Sequence, residues 1–297
     1  MSYFNFKKFF YRLFGLASQK VLVHDQLLAE KLTGLVPEQK IRIIPHGING
    51  YQHFSVTQQA KIKQTLGLKK TDRVLLAYGY HSWYKGTDWI IKNFLRLKAE
   101  QKIAKNVMLV LAGDVAPTQK EQAHLRRYYR ALSSSIAANS ASILHTGFVP
   151  EKDVAKIFAI ADLCVFPYRS RMSSSGALAL ALQYHKPFIC SAAFAENLQT
   201  DALKSLAAQL QLNLADLSFR LRYNSFVAVF QKSWSNKPLQ AKLATFGRQV
   251  ARQQSWQAVG QSYLQVLNVP KKKSVFALLK RLRFDATRKI LYFEAGA

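Results

Sequence analysis

The chain has 297 residues, of which 49% are hydrophobic, and its 43 Lys and Arg against 16 Asp and Glu give a formal net charge of +27. This hydrophobic content is enough for the core of one large domain or two, and it excludes wholesale disorder. The excess of positive charge predicts contact with polyanions, such as nucleic acid, an anionic bilayer or phosphorylated substrates.

Residues 1–20 have the pattern of a basic amphipathic helix without an acidic residue. The apolar face and the basic residues opposite it are Phe6, Phe9, Phe10, Leu13 and Phe14, and Lys7, Lys8 and Arg12. The pattern fits a membrane-surface helix and a helix packed on a sheet equally well. The lysines and the arginine interrupt the apolar run, so we expect neither a signal peptide nor a transmembrane helix here.

The next segments predict a strand at 21–24, a helix at 25–33 and a strand at 40–44, which ends at a Pro-His-Gly-Ile turn at 45–48. His24 and His46 follow these strands. We interpret them as a strand-end and a hinge histidine in preference to catalytic bases.

From residue 58 onward, short apolar runs alternate with amphipathic segments. Strands are predicted at 73–78, 107–112, 143–145, 163–166 and 188–190, and helices at 58–66, 87–97, 118–138, 151–161, 177–184 and 197–213. This alternation is typical of an α/β fold, with a Rossmann-like parallel sheet and helices on both faces. Cys164 and Cys190 fall on two of these strands, which predicts small apolar filling in a reducing cytoplasm.

Ligands of such sheets lie outside the carboxyl ends of the strands, where residues 173–176 are expected. These are Ser173, Ser174, Ser175 and Gly176, directly before a predicted helix. Small hydroxyls and free backbone N–H groups at a helix start suit an anion such as a diphosphate. The same pattern also fits an ordinary helix N-cap with a flexible turn.

Four pieces of this region follow one another in a known order. They are Gly-Phe-Val at 147–149, Ala-Asp-Leu-Cys-Val-Phe-Pro at 161–167, Ser-Ser-Gly at 174–176 and Ala-Leu-x-x-x-Lys-Pro-Phe-Ile at 181–189. This order resembles the carboxyl-terminal donor-binding domain of the family 4 retaining glycosyltransferases, which have the GT-B fold. The resemblance covers about residues 17–267.

The resemblance implies a donor-binding site formed by several loops. It assigns the first loop to Gly79, Tyr80 and Lys85, the next to Gly113, and the turn along the nucleobase to Gly147, Phe148 and Val149. The serines and glycine at 173–176 complete the expected set. No metal-ligand spacing and no cofactor motif is present, so the nucleotide-diphosphate sugar is expected as a substrate without a metal.

The chain departs from the family pattern at three positions. Tyr80 stands where the family has an arginine that neutralises the donor diphosphate, and Met172 and Leu180 stand where it has two glutamates. The resemblance assigns those glutamates to the donor sugar and the ribose hydroxyls. Each lost charge-assisted hydrogen bond is worth on the order of 1.5–3 kcal/mol, so the donor must be held differently, loosely or not at all.

The predicted organisation has three parts. Residues 1–50 form a remnant of the acceptor-side domain with the hinge, so that most of the first domain is expected to be absent. Residues 51–267 form the donor-binding domain, and residues 268–297 form a basic amphipathic tail. The tail has eight basic and two acidic residues, and Val275, Leu278, Leu279 and Leu282 predict a helical stripe. It fits a lipid-surface anchor or a helix packed on the domain.

Two functions follow from this pattern. The first is a cytoplasmic glycosyltransferase, peripheral on the inner face of the cell membrane, which uses a membrane-associated or polymeric acceptor. The second is a non-catalytic partner or regulatory subunit derived from a donor domain. A second glycosyltransferase chain is an expected partner of either. Nucleic acid is not, because only the net charge favours it and no nucleic-acid-binding motif is present.

Overall fold

The computed structural model describes residues 3–120, 122–172, 175–267, 282–285 and 290–293. The chain divides into two compact units, the first formed by Met1–Gly47 with Trp256–Ala297 and the second by Ile48–Ser255. The boundaries at residues 50 and 267 that the sequence suggested stay predictions.

The helices follow the strands in the alternation that the sequence predicts. The strands are β1 (Val21–Val23), β2 (Ile41–Ile43), β3 (Arg73–Tyr78), β4 (Val107–Ala112), β5 (Ile143–Gly147), β6 (Leu163–Phe166), β7 (Phe188–Ser191), β8 (Ser218–Phe219), β9 (Leu282–Asp285) and β10 (Ile290–Phe293). The helices are α1 (Tyr3–Ala17), α2 (Gln26–Leu32), α3 (Val56–Thr65), α4 (Thr87–Ala99), α5 (Pro117–Lys120), α6 (Arg126–Ala138), α7 (Glu151–Ile160), α8 (Gly176–Gln183), α9 (Ala192–Ala195), α10 (Asp201–Gln209), α11 (Tyr223–Ser235), α12 (Lys237–Gln253) and α13 (Trp256–Leu267).

The second unit is built on a six-stranded parallel sheet in the order β5-β4-β3-β6-β7-β8. The predicted α/β fold is therefore confirmed. Strands β3 and β6 are neighbours although β4 and β5 separate them in sequence, so the strand order reverses between them. A crevice at the carboxyl edge is expected at such a switch point.

The strands of this sheet are apolar at consecutive positions because helices cover both faces. In β6, Cys164 and Phe166 lie in the core on one face, with α7, α8 and α12. Leu163 and Val165 lie in the core on the other face, with α4 and α11. Both predicted cysteines are free and buried, and burial raises the pKa of each thiol to about 12.

Two helices differ from their predicted extents. The segment predicted as one helix at 118–138 contains α5, a 3-10 turn at Ala123–Leu125 and then α6. A helix expected to begin near Asn197 starts instead at Asp201, because the Thr200 side chain accepts a hydrogen bond from the Leu203 N–H and caps it.

The first unit contains α1, α2, α13 and a parallel pair of β1 and β2. Lys40 Nζ donates to the carbonyls of Gly15 and Leu16 at 2.8 and 2.9 Å, which satisfies the carboxyl end of α1. Phe14 of α1 is 60% exposed, and Tyr11 and Leu16 are exposed as well. No helix within the described ranges is both long and apolar enough to cross a bilayer.

The tail differs from its predicted helical stripe. Val275, Leu278 and Leu279 lie outside the described residues, and the prediction is wrong for Leu282, which begins β9 and pairs with Phe293 of β10 in an antiparallel register. The sequence Leu-Arg-Phe-Asp at 282–285 alternates apolar and charged residues, and such a period of two favours a strand over a helix.

Candidate functional site

A pocket of about 330 Å³ opens at the carboxyl edge of the parallel sheet, within the second unit. Its lining consists of Tyr78, Gly79, Tyr80, Tyr84, Lys85, Ala112, Gly113, Phe148, Val149, Tyr168, Met172, Ser175, Gly176, Ala177 and Leu180. The structure thus brings together eight of the eleven residues that the sequence suggested. Gly147 is not part of the lining, and Ser173 and Ser174 lie outside the described residues.

Glycines allow the loops after β3 and β4 to meet at the pocket. Gly113 has φ +148°, and a Cβ on it would lie 2.2 Å from the carbonyl oxygen of Gly79. Gly79 has φ +107°, and a Cβ there would lie 2.5 Å from Lys85 Nζ. The lack of a side chain at Gly79 therefore leaves the space that the Lys85 ammonium occupies.

Lys85 is the cation of this pocket. It ends the 3-10 turn Trp83–Lys85, and its Nζ lies 5.9 Å from the centre of the Tyr168 ring. Burial lowers its pKa, and among the described residues no carboxylate forms an ion pair with it. A partly buried ammonium without an acidic partner favours an anionic ligand, because the ligand would supply the missing negative charge.

The start of α8 forms the opposite wall. Ser175 Oγ accepts a hydrogen bond from the Leu178 N–H at 3.3 Å, so Ser175 is the N-cap of this helix. Gly176 and Ala177 follow it and line the pocket. The motif can therefore be an N-cap and a phosphate site at once. The residues of the first turn line the pocket, and backbone N–H groups at a helix start have no partner within the helix.

The pocket has no acidic side chain in its lining. Tyr80 lies at the surface with 40% of its area exposed, while Met172 and Leu180 pack against the apolar core. Tyr78, Tyr84 and Tyr168 supply the other side-chain hydroxyls, and burial raises the pKa of each. They therefore stay protonated and can donate hydrogen bonds.

Sequence reasoning missed these three tyrosines. Tyr78 ends β3, and Tyr168 comes two residues after the end of β6. The rule that ligands lie at the carboxyl ends of parallel strands would have pointed to both positions. Tyr84 carried no comparable signal, because its place depends on the fold of the loop before α4.

Histidines lie beside the pocket and in the first unit. His81 is 3% exposed, its Nε2 has no hydrogen-bond partner, and burial followed by the neighbouring His145 lowers its pKa to about 4. His24 and His46 stack at 3.9 Å between ring centres. Within the described ranges, no group of three or more His, Cys, Asp or Glu is arranged to hold a metal ion.

A second cavity, of about 490 Å³, lies between α3 and α7 and shares Phe148 and Val149 with the first. Its interior is formed by apolar side chains such as Phe54, Ile62 and Ile157. Asp153 at its edge is already paired with Lys156 at 2.7 Å. The first pocket lies at the carboxyl ends of the parallel strands, where ligands of such sheets bind, so we treat the first as the candidate site.

A comparison with protein families identifies the segment that carries this pocket. The model described as "Glycosyl transferases group 1" matches residues 72–211. The match spans a little under half of the chain, and all lining residues of the pocket fall within it. No curated protein gives a significant match to the sequence.

Solved structures share the fold at low sequence identity. HepE from Anabaena in complex with UDP is 16% identical with a TM-score of 0.69, over 90% of this chain and 69% of that one. Sucrose-phosphate synthase from Thermosynechococcus elongatus is 19% identical with a TM-score of 0.65, over 89% and 62%. WaaG, a glycosyltransferase involved in lipopolysaccharide biosynthesis, is 18% identical with a TM-score of 0.60, over 84% and 62%. These likenesses establish the GT-B type of fold, and the chain spans about two thirds of each structure.

Proposed function

We propose that the chain is a glycosyltransferase of the family 4 retaining type, which transfers a sugar from a nucleotide-diphosphate sugar to a membrane-associated or polymeric acceptor. The observation that carries the proposal is Lys85, a partly buried cation without an acidic partner among the described residues, in a pocket of the segment that matches the glycosyltransferase family model. The acceptor-binding role is assigned to a second glycosyltransferase chain.

The chemistry of the pocket supports a diphosphate. Lys85 and the first turn of α8 border the same space, and both present N–H donors. When the sugar leaves, negative charge increases on the diphosphate oxygens. Donors held in place in a water-poor pocket stabilise that charge without reorganisation, and this lowers the barrier to transfer. Complexes of the Anabaena protein with UDP and with UDP-glucose add support from the same type of fold.

The second candidate is a non-catalytic partner or regulatory subunit. Its support is the absence of a carboxylate from the pocket lining, where Met172 and Leu180 present apolar side chains. Sugar hydroxyls buried against such side chains lose their hydrogen bonds to water, at a cost of about 1–3 kcal/mol for each group left unsatisfied. Donor binding without turnover fits this candidate.

A nucleotide panel separates the two candidates. We expect calorimetry to show that one nucleoside diphosphate binds and that its nucleoside binds far more weakly, because Lys85 contacts only the phosphates. The nucleotide-diphosphate sugar of the same base is then incubated with the chain, and its hydrolysis, in which water takes the place of the acceptor, is followed by NMR. Consumption supports the transferase, binding without consumption supports the regulatory subunit, and no binding by any nucleotide contradicts both.

We also propose that the protein is peripheral on the anionic cytoplasmic leaflet, through the basic tail with help from α1. Tyr11, Phe14 and Leu16 are exposed on α1. The sequence segment 1–24 contains four Lys and Arg residues and no acidic residue. We expect co-sedimentation with anionic but not neutral vesicles. Binding should fall steeply with salt, because such attraction is screened within about 10 Å at 0.1 M.

Two variants test this attachment. Deleting residues 271–297 or changing Phe14 to Ser should reduce recovery with anionic vesicles, whereas Val56→Ser, which alters an even more exposed apolar residue on α3, should not. Nucleic acid is removed first, because a chain of +27 retains RNA by counterion release. Equal recovery from both vesicle types would contradict the proposal.

A further inference from the structure

A partly buried ion pair joins the loop after β6 to the start of α4. Arg169, in the loop after β6, donates from Nη1 to Asp88 Oδ1 at 2.8 Å and from Nη2 to Asp88 Oδ2 at 2.6 Å. Asp88 lies in the first turn of α4, directly after the loop that carries Lys85. Such a bidentate contact fixes the orientation of the guanidinium as well as its distance from the carboxylate, which a single hydrogen bond does not.

Further contacts surround this ion pair. Arg169 Nη1 also donates to the Trp83 carbonyl, and its guanidinium lies over the Trp83 ring at 4.8 Å. Tyr128 of α6 donates from its hydroxyl to Asp88 Oδ1 at 3.1 Å. Burial, the largest single effect, would raise the pKa of Asp88. The hydrogen bonds and charge of Arg169, together with the hydrogen bond from Tyr128, outweigh it, so the pKa is lowered and the pair stays ionised.

The same two loops touch through their backbones on either side of Lys85. The Arg169 N–H donates to the carbonyl of Tyr84 at 2.7 Å. A Cβ on Gly86 would lie 2.1 Å from the carbonyl oxygen of Pro167. The two chain neighbours of Lys85 are therefore held against the loop after β6, which leaves the lysine little freedom except in its own side chain.

We infer that Arg169 is a positioning residue, which acts with Asp88 to hold the Lys85 ammonium where a diphosphate binds. Arg169 is not among the residues that line the pocket, so its effect on the ligand passes through Lys85. The inference rests on the proposed function, because it concerns the same pocket. It adds a residue that neither the sequence motifs nor the family comparison assigns.

The chain offers a matched control for this role. Arg73 at the start of β3 pairs with Asp162 at 3.4 Å and stacks over the Trp234 ring at 4.1 Å. It thus has the same combination of an aspartate and a tryptophan as Arg169. Since it begins a strand whose carboxyl end forms the pocket, it lies at the opposite edge of the sheet.

The test is a double-mutant cycle read by calorimetry with UDP and uridine. Arg169→Lys keeps the positive charge but loses the bidentate contact with Asp88. We therefore expect about a tenfold loss of UDP affinity, as for other residues that orient a charged group. Uridine affinity should not change. In the Lys85→Ala background, Arg169→Lys should have no further effect, because the residue through which it acts is absent. Arg73→Lys should leave the ratio of UDP to uridine affinity at the wild-type value, whatever its effect on the melting temperature.

A second readout needs no nucleotide. The reactivity of Lys85 toward an amine-specific reagent, followed by peptide mass spectrometry against pH, should show a higher pKa in Arg169→Lys than in the wild type, as the lysine becomes more hydrated. If UDP does not bind the wild type, the cycle is read with the nucleoside diphosphate that does bind. Binding by none overturns the proposed function, and the labelling result then decides the positioning role alone. Two outcomes overturn the positioning role: additive effects of Arg169→Lys and Lys85→Ala on UDP affinity, or a Lys85 labelling profile that Arg169→Lys leaves unchanged.

Discussion

Replacing Lys85 with alanine is expected to weaken binding of a nucleoside diphosphate by about 10- to 100-fold. The physical reason is the loss of a charge-assisted hydrogen bond, worth about 1.5–3 kcal/mol, in a pocket whose lining contains no other cationic side chain. Calorimetry with the matched nucleoside and nucleoside diphosphate measures the effect. The nucleoside should bind the variant and the wild type equally, because it carries no phosphate.

Lys92→Ala is the control for the change in net charge. Lys92 is an exposed lysine of α4 and is not part of the pocket lining, so its loss changes the same overall charge without touching the pocket. A loss of affinity that is equal in both variants would mean that long-range attraction, and not a contact at the pocket, accounts for diphosphate binding. A loss of nucleoside affinity in Lys85→Ala would place the lysine elsewhere on the ligand.

Replacing Gly86 with alanine is expected to lower the free energy of unfolding by about 2–6 kcal/mol. Two costs add here: Gly86 has φ +72°, where a side chain is strained by about 1–3 kcal/mol, and its Cβ would meet the Pro167 carbonyl oxygen at 2.1 Å, which forces two backbones apart for about 1–3 kcal/mol more. Urea denaturation followed by circular dichroism measures this loss.

Gly67→Ala separates the two costs. Gly67 has φ +78°, almost the angle of Gly86, but nothing lies within 4 Å of a Cβ at that position. We therefore expect only the strain term in this variant, and a smaller loss of stability. Equal losses in the two variants would show that the contact between Gly86 and Pro167 adds nothing to the stability of the folded protein.

The sheet was predictable from the sequence because its signal is local. The uncharged run Leu-Cys-Val-Phe at 163–166 predicts a strand covered on both faces, and the structure has β6 at those residues with a core on each side. The loops that follow such strands are then bound to meet at one edge. This is why the sequence alone could predict that Lys85 and Ser175 lie at one pocket.

The ion pair of Arg169 and Asp88 could not be predicted in the same way. The two residues are 81 positions apart, and each is an ordinary polar residue in its own segment. Their contact depends on how the loop after β6 packs on the start of α4, which no periodicity encodes. The prediction for the tail was wrong for a different reason. A short amphipathic pattern such as that around Leu282 can fit both the period of a helix and the period of a strand.

The order of the strands also bears on when the pocket appears during folding. Strands β3, β4 and β5 are consecutive in sequence and adjacent in the sheet, so they can pair as soon as that part of the chain is available. Strand β6 instead adds to the other side of β3, where Leu75 pairs with Leu163, and this closes a loop of 88 residues. Such long loops close late because of their entropy. A chain that has paired only β3–β5 holds Lys85 but neither Tyr168 nor Ser175, so the ability to bind an anion should arise in the last stage of folding rather than grow with the sheet.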